Sequence, residues 1–515
     1  MSGRGAVAAG SEAAVGAGLR ALELGGNAVD AAVAATLAAG VAEPLLTGLG
    51  GSGLAMVRMD GHTELCDMFS PVPTAGSAAP SELDEITVDF GPTRQVFRVG
   101  PASVAVPGLP AGLWALHARH GRLPMSEVAA PAAAVARAGV IVTSPMARVI
   151  QLLWPIQQRD RDLVRLLGKD GRPLRAGEHF RNPELGDTIE RYAEEGPSLF
   201  SEGRVGEAML RALGSSARIS RSDLGAYAPR FTEPVRYSYR DADVWLPAPP
   251  SLAGVLVAQA LRALEDHGPM PPPLSVRQLR FLCHALSRAD VTRKGRLRRH
   301  LFSPGFVDGF VTALSPGEVG EEHAHQGRSG PRRPGNTTHI STVDGDGNAV
   351  SLTSSLGETC GRLVTGTGVL LNNLLGEDDV NPPDVDLPPG NRLMTMCCPT
   401  LLSIGGDTLY ALGSSGSSRI RSAVLHGVVC LTDHAMHPEE VVELPRVHVE
   451  DGVVHIEIDG RPKGTQEALS ASPWQFREFA GSNVFFGGLH IAGVSQGRFL
   501  GAGDPRRSGD YGERE

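Results

Sequence analysis

A chain of 515 residues with 41% hydrophobic residues is long enough to bury a large core, and length alone allows one to three domains. Its formal net charge of −9, spread over both halves, argues against nucleic acid as a partner, and no apolar run approaches the roughly 18 residues that span a bilayer. Six scattered cysteines with no Cys-x-x-Cys spacing read as buried reduced thiols. No apolar stretch of a secretory signal follows Met1-Ser2-Gly3-Arg4-Gly5, so the expected location is the cytoplasm.

In chain order, Ser11-Glu12 reads as a helix cap, and two Ala/Leu-rich helices split by Gly25-Gly26 fill residues 11–42. Gly48-Leu49-Gly50-Gly51-Ser52-Gly53 matches G-x-G-x-x-G, but a dinucleotide site needs a strand before that turn and a helix after it. Here the order is reversed, because Ala28–Val41 is helical and Leu54–Met59 is strand-like. The glycines therefore read as a tight turn packed against a sheet. Leu54–Met59 and Thr63–Met68 form a hairpin around Asp60-Gly61. Residues 110–225 are mostly helical, with Trp114, Leu152, Leu153 and Trp154 as candidate core and a further helix opening at Ile219–Leu224. Val235–Tyr239 reads as a strand, Pro247–Pro250 as a loop, and residues 252–266 and 276–300 as helices.

The basic run from Arg293 to His300 has no interleaved aromatic residue and reads as a solvated helix end. From Pro304 to Pro334 the chain is rich in Gly, Pro and charge, the composition of a linker. His323-Ala324-His325 within it lacks the carboxylate or cysteine pattern that completes a metal site, so neither metal nor cofactor is expected. Strands dominate from Thr337 to about residue 415, followed by a helix at Ser418–Asp433 and a final strand-rich segment. No repeat of fixed period occurs.

The chemistry concentrates where the linker ends. After Pro334-Gly335, the run Asn336-Thr337-Thr338-His339-Ile340-Ser341-Thr342-Val343 alternates as a strand and turns at Asp344-Gly345-Asp346-Gly347 into Asn348–Thr353. A threonine hydroxyl is a poor nucleophile unless a base assists it. Cutting the chain between Asn336 and Thr337 would place an α-amine of pKa about 7.7–8.0 beside that hydroxyl. An ordinary hairpin is the plain alternative, and Asn336-Thr337-Thr338 also fits an N-glycosylation sequon, which needs a secretory context.

Companion segments occur in a fixed order. Gly25–Ala34, Glu43-Pro44, Gly48–Gly53 and Val106-Pro107-Gly108 lie upstream; Leu370–Asn373, Gly413–Ile420 and Asp504–Arg507 lie downstream. Together with Thr337 they resemble the γ-glutamyltranspeptidase family across essentially the whole chain. The resemblance implies an α/β fold, the αββα four-layer sandwich of N-terminal nucleophile hydrolases. It further implies self-cleavage into fragments 1–336 and 337–515 that stay together as one catalytic heterodimer acting on a small molecule. Thr337 takes the nucleophile's place, Ser355 that of a supporting hydroxyl, and the backbone N–H groups of Gly416 and Ser417 that of oxyanion donors, Ser417 standing where the family has a second glycine.

The glutamate-recognition positions depart from the family. Phe69 stands at the position of its carboxylate-clamping Arg, and Thr395-Met396 at that of a Ser-Ser pair. Gly357, Leu374 and Glu377 replace the Asn/Glu, Gln and Asp that hold the substrate amine. A phenyl ring does not replace a guanidinium fork. The leading expectation is a hydrolase of altered substrate, most specifically resembling members that serve 4-alkylproline antibiotic biosynthesis by hydrolytic C–C cleavage, releasing an oxalyl unit from a dihydropyrrole carboxylate. A conventional γ-glutamyl hydrolase or transpeptidase is the alternative, and an inactive relative with a binding role is a third reading.

Overall fold

In the structure, a computed structural model, residues 3–74, 83–89, 94–312, 336–382, 385, 387–465 and 474–515 are described. All eight residues of the strand Thr337–Asp344 are buried, so both of its faces are covered. Ile340 joins the apolar cluster under one helix layer, and Val343 joins a different cluster between two sheets. The period-2 alternation of the strand thus addresses two separate layers.

The first sheet has seven strands, in the order Arg230–Thr232, His62–Met68, Ser52–Met59, Ala349–Ser355, Thr337–Asp344, Gly5–Ala9 and Asp510–Arg514. The second has six: Val235–Tyr239, Ala242–Leu246, Thr400–Ile404, Thr408–Ser414, Leu489–Ser495 and Arg498–Ala502. Between the sheets pack Leu54, Met56, Val343, Ala349, Ala411 and Ala492. Outside the first sheet, helix Ala28–Ala42 is buried at every residue but its last, which explains why it is apolar all round. Outside the second sheet lie Leu252–Glu265 and Ile420–Thr432. This is the expected αββα sandwich.

The hairpin turn is tied to that helix layer. Asp344 accepts hydrogen bonds from Asp346 N and Asn348 N across the turn, and its other oxygen accepts from Ala28 N at 3.0 Å. A carboxylate at a helix N-terminus satisfies an otherwise unpaired N–H and meets the positive end of the dipole. The glycine turn behaves as expected. A Cβ on Gly50 would sit 1.9 Å from Leu370 O, and one on Gly51 2.4 Å from Ser355 O. Only bare backbone fits against the end of the hairpin.

Three expectations need correction. The basic run is solvated only in part: Lys294, Arg299 and His300 are exposed, but Arg293 is buried and donates to Glu450 at 2.8 Å and Asp290 at 3.3 Å, while Arg421 reaches Asp290 at 3.0 Å. Lys294 pairs with Asp290 and Asp451, and Arg298 donates to Asp379 O. Carboxylates from the far-off 450–451 segment collect there, which a local charge pattern cannot show. Next, strands do not continue to residue 415, because the described residues between 371 and 399 are largely irregular. Pro382, Pro388 and Pro389 remove ladder donors, and Asn372, Asn373 and Asn381 satisfy backbone groups with their side chains instead. Last, Ser11 holds the N-cap position without capping; its hydroxyl donates to Glu43 at 3.1 Å.

Among the described residues no helix is long and apolar enough to cross a membrane, and no group of three or more His, Cys, Asp or Glu gathers as metal ligands. His323 and His325 lie outside the described residues.

Candidate functional site

Thr337 pairs directly across the hairpin with Ser355, so both side chains share one face. Thr337 Oγ1 donates to Ser355 Oγ at 3.3 Å, and Ser355 Oγ donates to the carbonyl oxygen of Asn336 at 2.8 Å. Gly357 N–H donates to the same Ser355 oxygen at 2.9 Å. One hydroxyl therefore links the candidate nucleophile to the carbonyl one peptide bond before it. Both hydroxyls are buried.

The next side chain points the other way. Thr338 Oγ1 donates to Glu43 Oε2 at 2.6 Å. Burial pushes the Glu43 carboxyl up to about 7, with hydrogen bonds from Thr338 and Ser11 and the charge of Arg507 pulling against it. His339 returns to the gap between the sheets, where its ring nitrogens meet Thr353 Oγ1 at 2.8 Å and Ser341 Oγ at 3.0 Å. Burial holds its pKa well below the ordinary value, so it is neutral.

The second sheet supplies the turn at Gly416 and Ser417. A Cβ on Gly413 would strike the His339 ring at 2.3 Å, and Ser351, opposite Ser341, donates to Leu412 O at 2.9 Å. Moving from residue 341 to 339 thus moves from Leu412 toward Gly413, which brings the head of the Thr337 strand toward the end of Thr408–Ser414 and the turn beyond it. Gly416 has φ +110° and Ser417 φ +51°, both left-handed, followed by helix Ile420–Thr432. The serine does adopt the conformation that a glycine adopts more readily. Ser417 Oγ also donates to Asp379 at 3.3 Å.

The structure divides the remaining expected residues into two groups. A Cβ on Gly357, where φ is +64°, would meet Asn373 Oδ1 at 2.1 Å and Glu377 Oε1 at 3.1 Å, so Gly357 and Glu377 converge beside Ser355. Phe69 and Leu374 are instead packed together in the apolar layer between the sheets. Phe69 also accepts the Tyr227 hydroxyl on its carbonyl at 3.2 Å. Met396 turns into the cluster under the second helix layer. Thr395 is buried, with its hydroxyl accepting from Cys397 N at 3.1 Å and its backbone bridging to Ser251.

A family model described as gamma-glutamyltranspeptidase matches residues 14–513. The chain belongs to the γ-glutamyltranspeptidase family. Acylase ACY 1 proenzyme of a Pseudomonas species is 33% identical over 488 residues, covering 91% of this chain and 86% of that protein. Glutathione hydrolase proenzyme of another Pseudomonas strain is 28% identical over 532 residues, covering 95% and 91%. Among solved structures, cephalosporin acylase from Bacillus halodurans has a TM-score of 0.78 at 23% identity, covering 99% of this chain and 95% of that one. The structure of LmbA2991HD has a TM-score of 0.79 at 21% identity, covering 100% and 98%. These two likenesses are of fold. As a member of the γ-glutamyltranspeptidase family, the chain is an enzyme of the N-terminal nucleophile hydrolase class.

Sequence reasoning about the γ-glutamyltranspeptidase pattern missed two buried charges. Glu43 was visible only as part of a Glu-Pro motif; its contact with Thr338 spans 295 residues. Arg392, two registers from Phe69, donates to Asp67 at 2.9 Å with both side chains buried, and to Ala228 O at 2.7 Å. No local signal marks that pair. Asn373 is a lesser omission; it holds Glu358 N at 2.7 Å and Arg98 O at 3.2 Å.

Proposed function

We propose that the chain is a self-cleaving N-terminal threonine hydrolase whose substrate is not a simple γ-glutamyl compound. The observation that carries this reading is the Ser355 hydroxyl, which accepts from Thr337 Oγ1 and donates to the Asn336 carbonyl. In self-cleavage, Thr337 Oγ attacks the Asn336 carbonyl carbon and Ser355 O–H stabilises the oxygen as it gains charge. The Asn336–Thr337 C–N bond then breaks, and the nitrogen takes the proton that the hydroxyl loses. Water hydrolyses the resulting ester and leaves fragments 1–336 and 337–515, held as a heterodimer by the shared first sheet. The freed α-amine serves as base for Thr337 in turnover, and the N–H groups of Gly416 and Ser417 receive the substrate oxyanion.

The specificity half of the reading rests on Phe69, Leu374 and Met396. All three are buried among apolar side chains, so none offers a partner to a glutamyl α-carboxylate or α-ammonium. Burying either charge uncompensated costs several kcal/mol. Glu377 lies beside Gly357, and we assign it to an amino or imino group of the substrate.

The finer reading is C–C hydrolysis in 4-alkylproline biosynthesis. Thr337 adds to a ketone, the conjugated dihydropyrrole accepts the electrons of the breaking C–C bond, and water releases oxalate from the ester. A second reading, hydrolysis of an amide-linked acyl group, is favoured by the 33% identity to an acylase. The conventional alternative is supported by the glutathione hydrolase relative. Six buried free thiols support a reducing compartment, and we place the protein in the cytoplasm on that ground.

The test is a side-by-side assay of processed enzyme with an oxalyl dihydropyrrole carboxylate, an N-acyl amide and glutathione, measuring oxalate, free amine and glutamate. Oxalate or amine release above glutamate release supports the proposal. Glutathione turnover exceeding both defeats it.

A further inference from the structure

A cleft of about 1000 Å³ opens on the helix side of the first sheet, within the range of small-molecule sites. Its walls come from helices Glu12–Glu23, Met125–Ala138 and Ser144–Gln157, the end of helix Ala28–Ala42, and residues 507–510. Neither Thr337 nor Ser355 lines it. Most of the wall is apolar, with Leu46, Pro131, Val135, Val140, Met146 and Val149 facing it.

Two buried ionisable side chains break that surface, Glu43 and Arg507. Arg507 donates from Nη2 to Val484 O at 3.3 Å, while its Nε and Nη1 have no hydrogen-bond partner. Leaving two nitrogens of a buried guanidinium without an acceptor is costly, and an anion relieves it. Glu43 does not pair with it: its oxygens take Thr338 and Ser11. With its carboxyl pushed up to about 7, Glu43 is about half neutral at pH 7 and repels an incoming anion less than an ordinary carboxylate does. Glu12, exposed, and Asp510, half-buried, are the other charges on the wall, and both disfavour a dianion.

We propose that this cleft is a second small-molecule site, separate from the Thr337 centre, which takes a monocarboxylate with an apolar body, its carboxylate at Arg507 and its body along the helix walls. One cation beside acidic neighbours suits a single negative charge better than a phosphate. The apolar walls suit a linear or aromatic acid rather than a small polar one. Because Glu43 bonds Thr338, the residue after the proposed nucleophile, an occupant lies one side chain away from the head of that strand.

Calorimetric titration of the purified full-length protein with octanoate and, separately, octanamide tests this. Octanoate should bind saturably, and octanamide at least about ten-fold more weakly, since one charge-assisted hydrogen bond accounts for that ratio. Arg507→Gln should weaken octanoate by a similar factor. Ala134→Trp places bulk in the cleft from an exposed wall position and should abolish binding even if Arg507→Gln fails to fold. Equal binding of acid and amide, no binding of octanoate, or octanoate binding untouched by Ala134→Trp would each overturn the proposal.

Discussion

At the head of the Thr337 strand, buried polar atoms are bonded to one another: Thr337 to Ser355, Ser355 to Asn336 O and Gly357 N, and Thr338 to Glu43. The Phe69 side chain is equally buried but shares an apolar cluster with Leu374, Leu393 and Cys397, and the directed bonds at this residue are made by its backbone. The difference sets what each region tolerates. Removing one member of the first network leaves a buried donor or acceptor unpaired, at about 1–3 kcal/mol. Exchanging one apolar side chain for another of like volume costs less than about 1.5 kcal/mol. A reaction centre built the first way resists change, whereas a specificity rim built the second way is easily reshaped.

The sharpest break in that contrast comes from Thr337→Ala. Intact-mass measurement should show the wild type as fragments 1–336 and 337–515, and the variant as one full-length chain without turnover. An uncut wild type with full activity would remove the basis of the proposed mechanism.

The apolar rim is tested by glutathione, for which kcat/KM should fall below the ~10⁴ M⁻¹s⁻¹ of a working enzyme. Phe69→Arg should not restore it. The position is 1% exposed within an apolar cluster, so the new charge would destabilise the fold by several kcal/mol before it met any substrate. A stable Phe69→Arg variant that hydrolyses glutathione would show the rim opens onto the site in a way the apolar packing does not suggest.

Within the polar region, Ser355→Ala should slow both self-cleavage and turnover, since one hydroxyl serves both. The expected loss of about 1–3 kcal/mol corresponds to roughly 5- to 150-fold in each rate. Wild-type rates in both reactions would assign the hydroxyl a packing role only.

How far each region was legible in the sequence follows the same division. Thr337 and Ser355 face each other because Val343 pairs with Ala349 across a short turn, and register in a hairpin is local information. The glycine turn was legible for a similar reason, through the order of its flanking elements. The bonds of Glu43 to Thr338, of Arg392 to Asp67 and of Arg293 to Glu450 join residues 295, 325 and 157 apart, so no local pattern carries them; of the bonds at Arg293, the one to Asp290 is local. Met396 illustrates a subtler loss: its place beside Thr395 suggested a shared pocket, yet its side chain packs into the core under the second helix layer.

Glu43 adds a pH-dependent member to the polar region. Its carboxyl is raised from 4.5 to about 7 in the folded protein, so between those values the native state holds a proton that the unfolded chain has released. Its contribution to stability is therefore complete below pH 4.5 and is lost as pH rises through about 7. Glu43→Gln keeps the group neutral, so the variant's unfolding free energy, read from denaturant titrations at each pH, should gain on the wild type across that interval by up to about 1.4 kcal/mol per pH unit. A difference independent of pH would mean that Glu43 is ionised in the fold. Comparing variant with wild type cancels the opposing contribution of buried neutral histidines such as His339.

The smallest expected effect is that of Ser417→Gly, which separates backbone from side chain in the turn. At φ +51° a serine carries left-handed strain of about 1–2 kcal/mol, which glycine would relieve. Against this stand the extra entropy of an unfolded glycine, about 0.5–1 kcal/mol, and the lost bond from Ser417 Oγ to Asp379, about 0.5–1.5 kcal/mol. These terms nearly cancel, so stability should move by no more than about 1 kcal/mol in either direction. The N–H proposed to meet the oxyanion is unchanged, and turnover should stay within about five-fold of wild type. Gly416→Ala is the informative partner, because φ there is +110° and a Cβ would press on Gly487 Cα at 3.0 Å. It should displace the same N–H groups and reduce turnover while Ser417→Gly does not. If instead Ser417→Gly proves the more damaging of the two, the serine hydroxyl, through Asp379, is what the turn contributes, and the assignment to backbone donors fails.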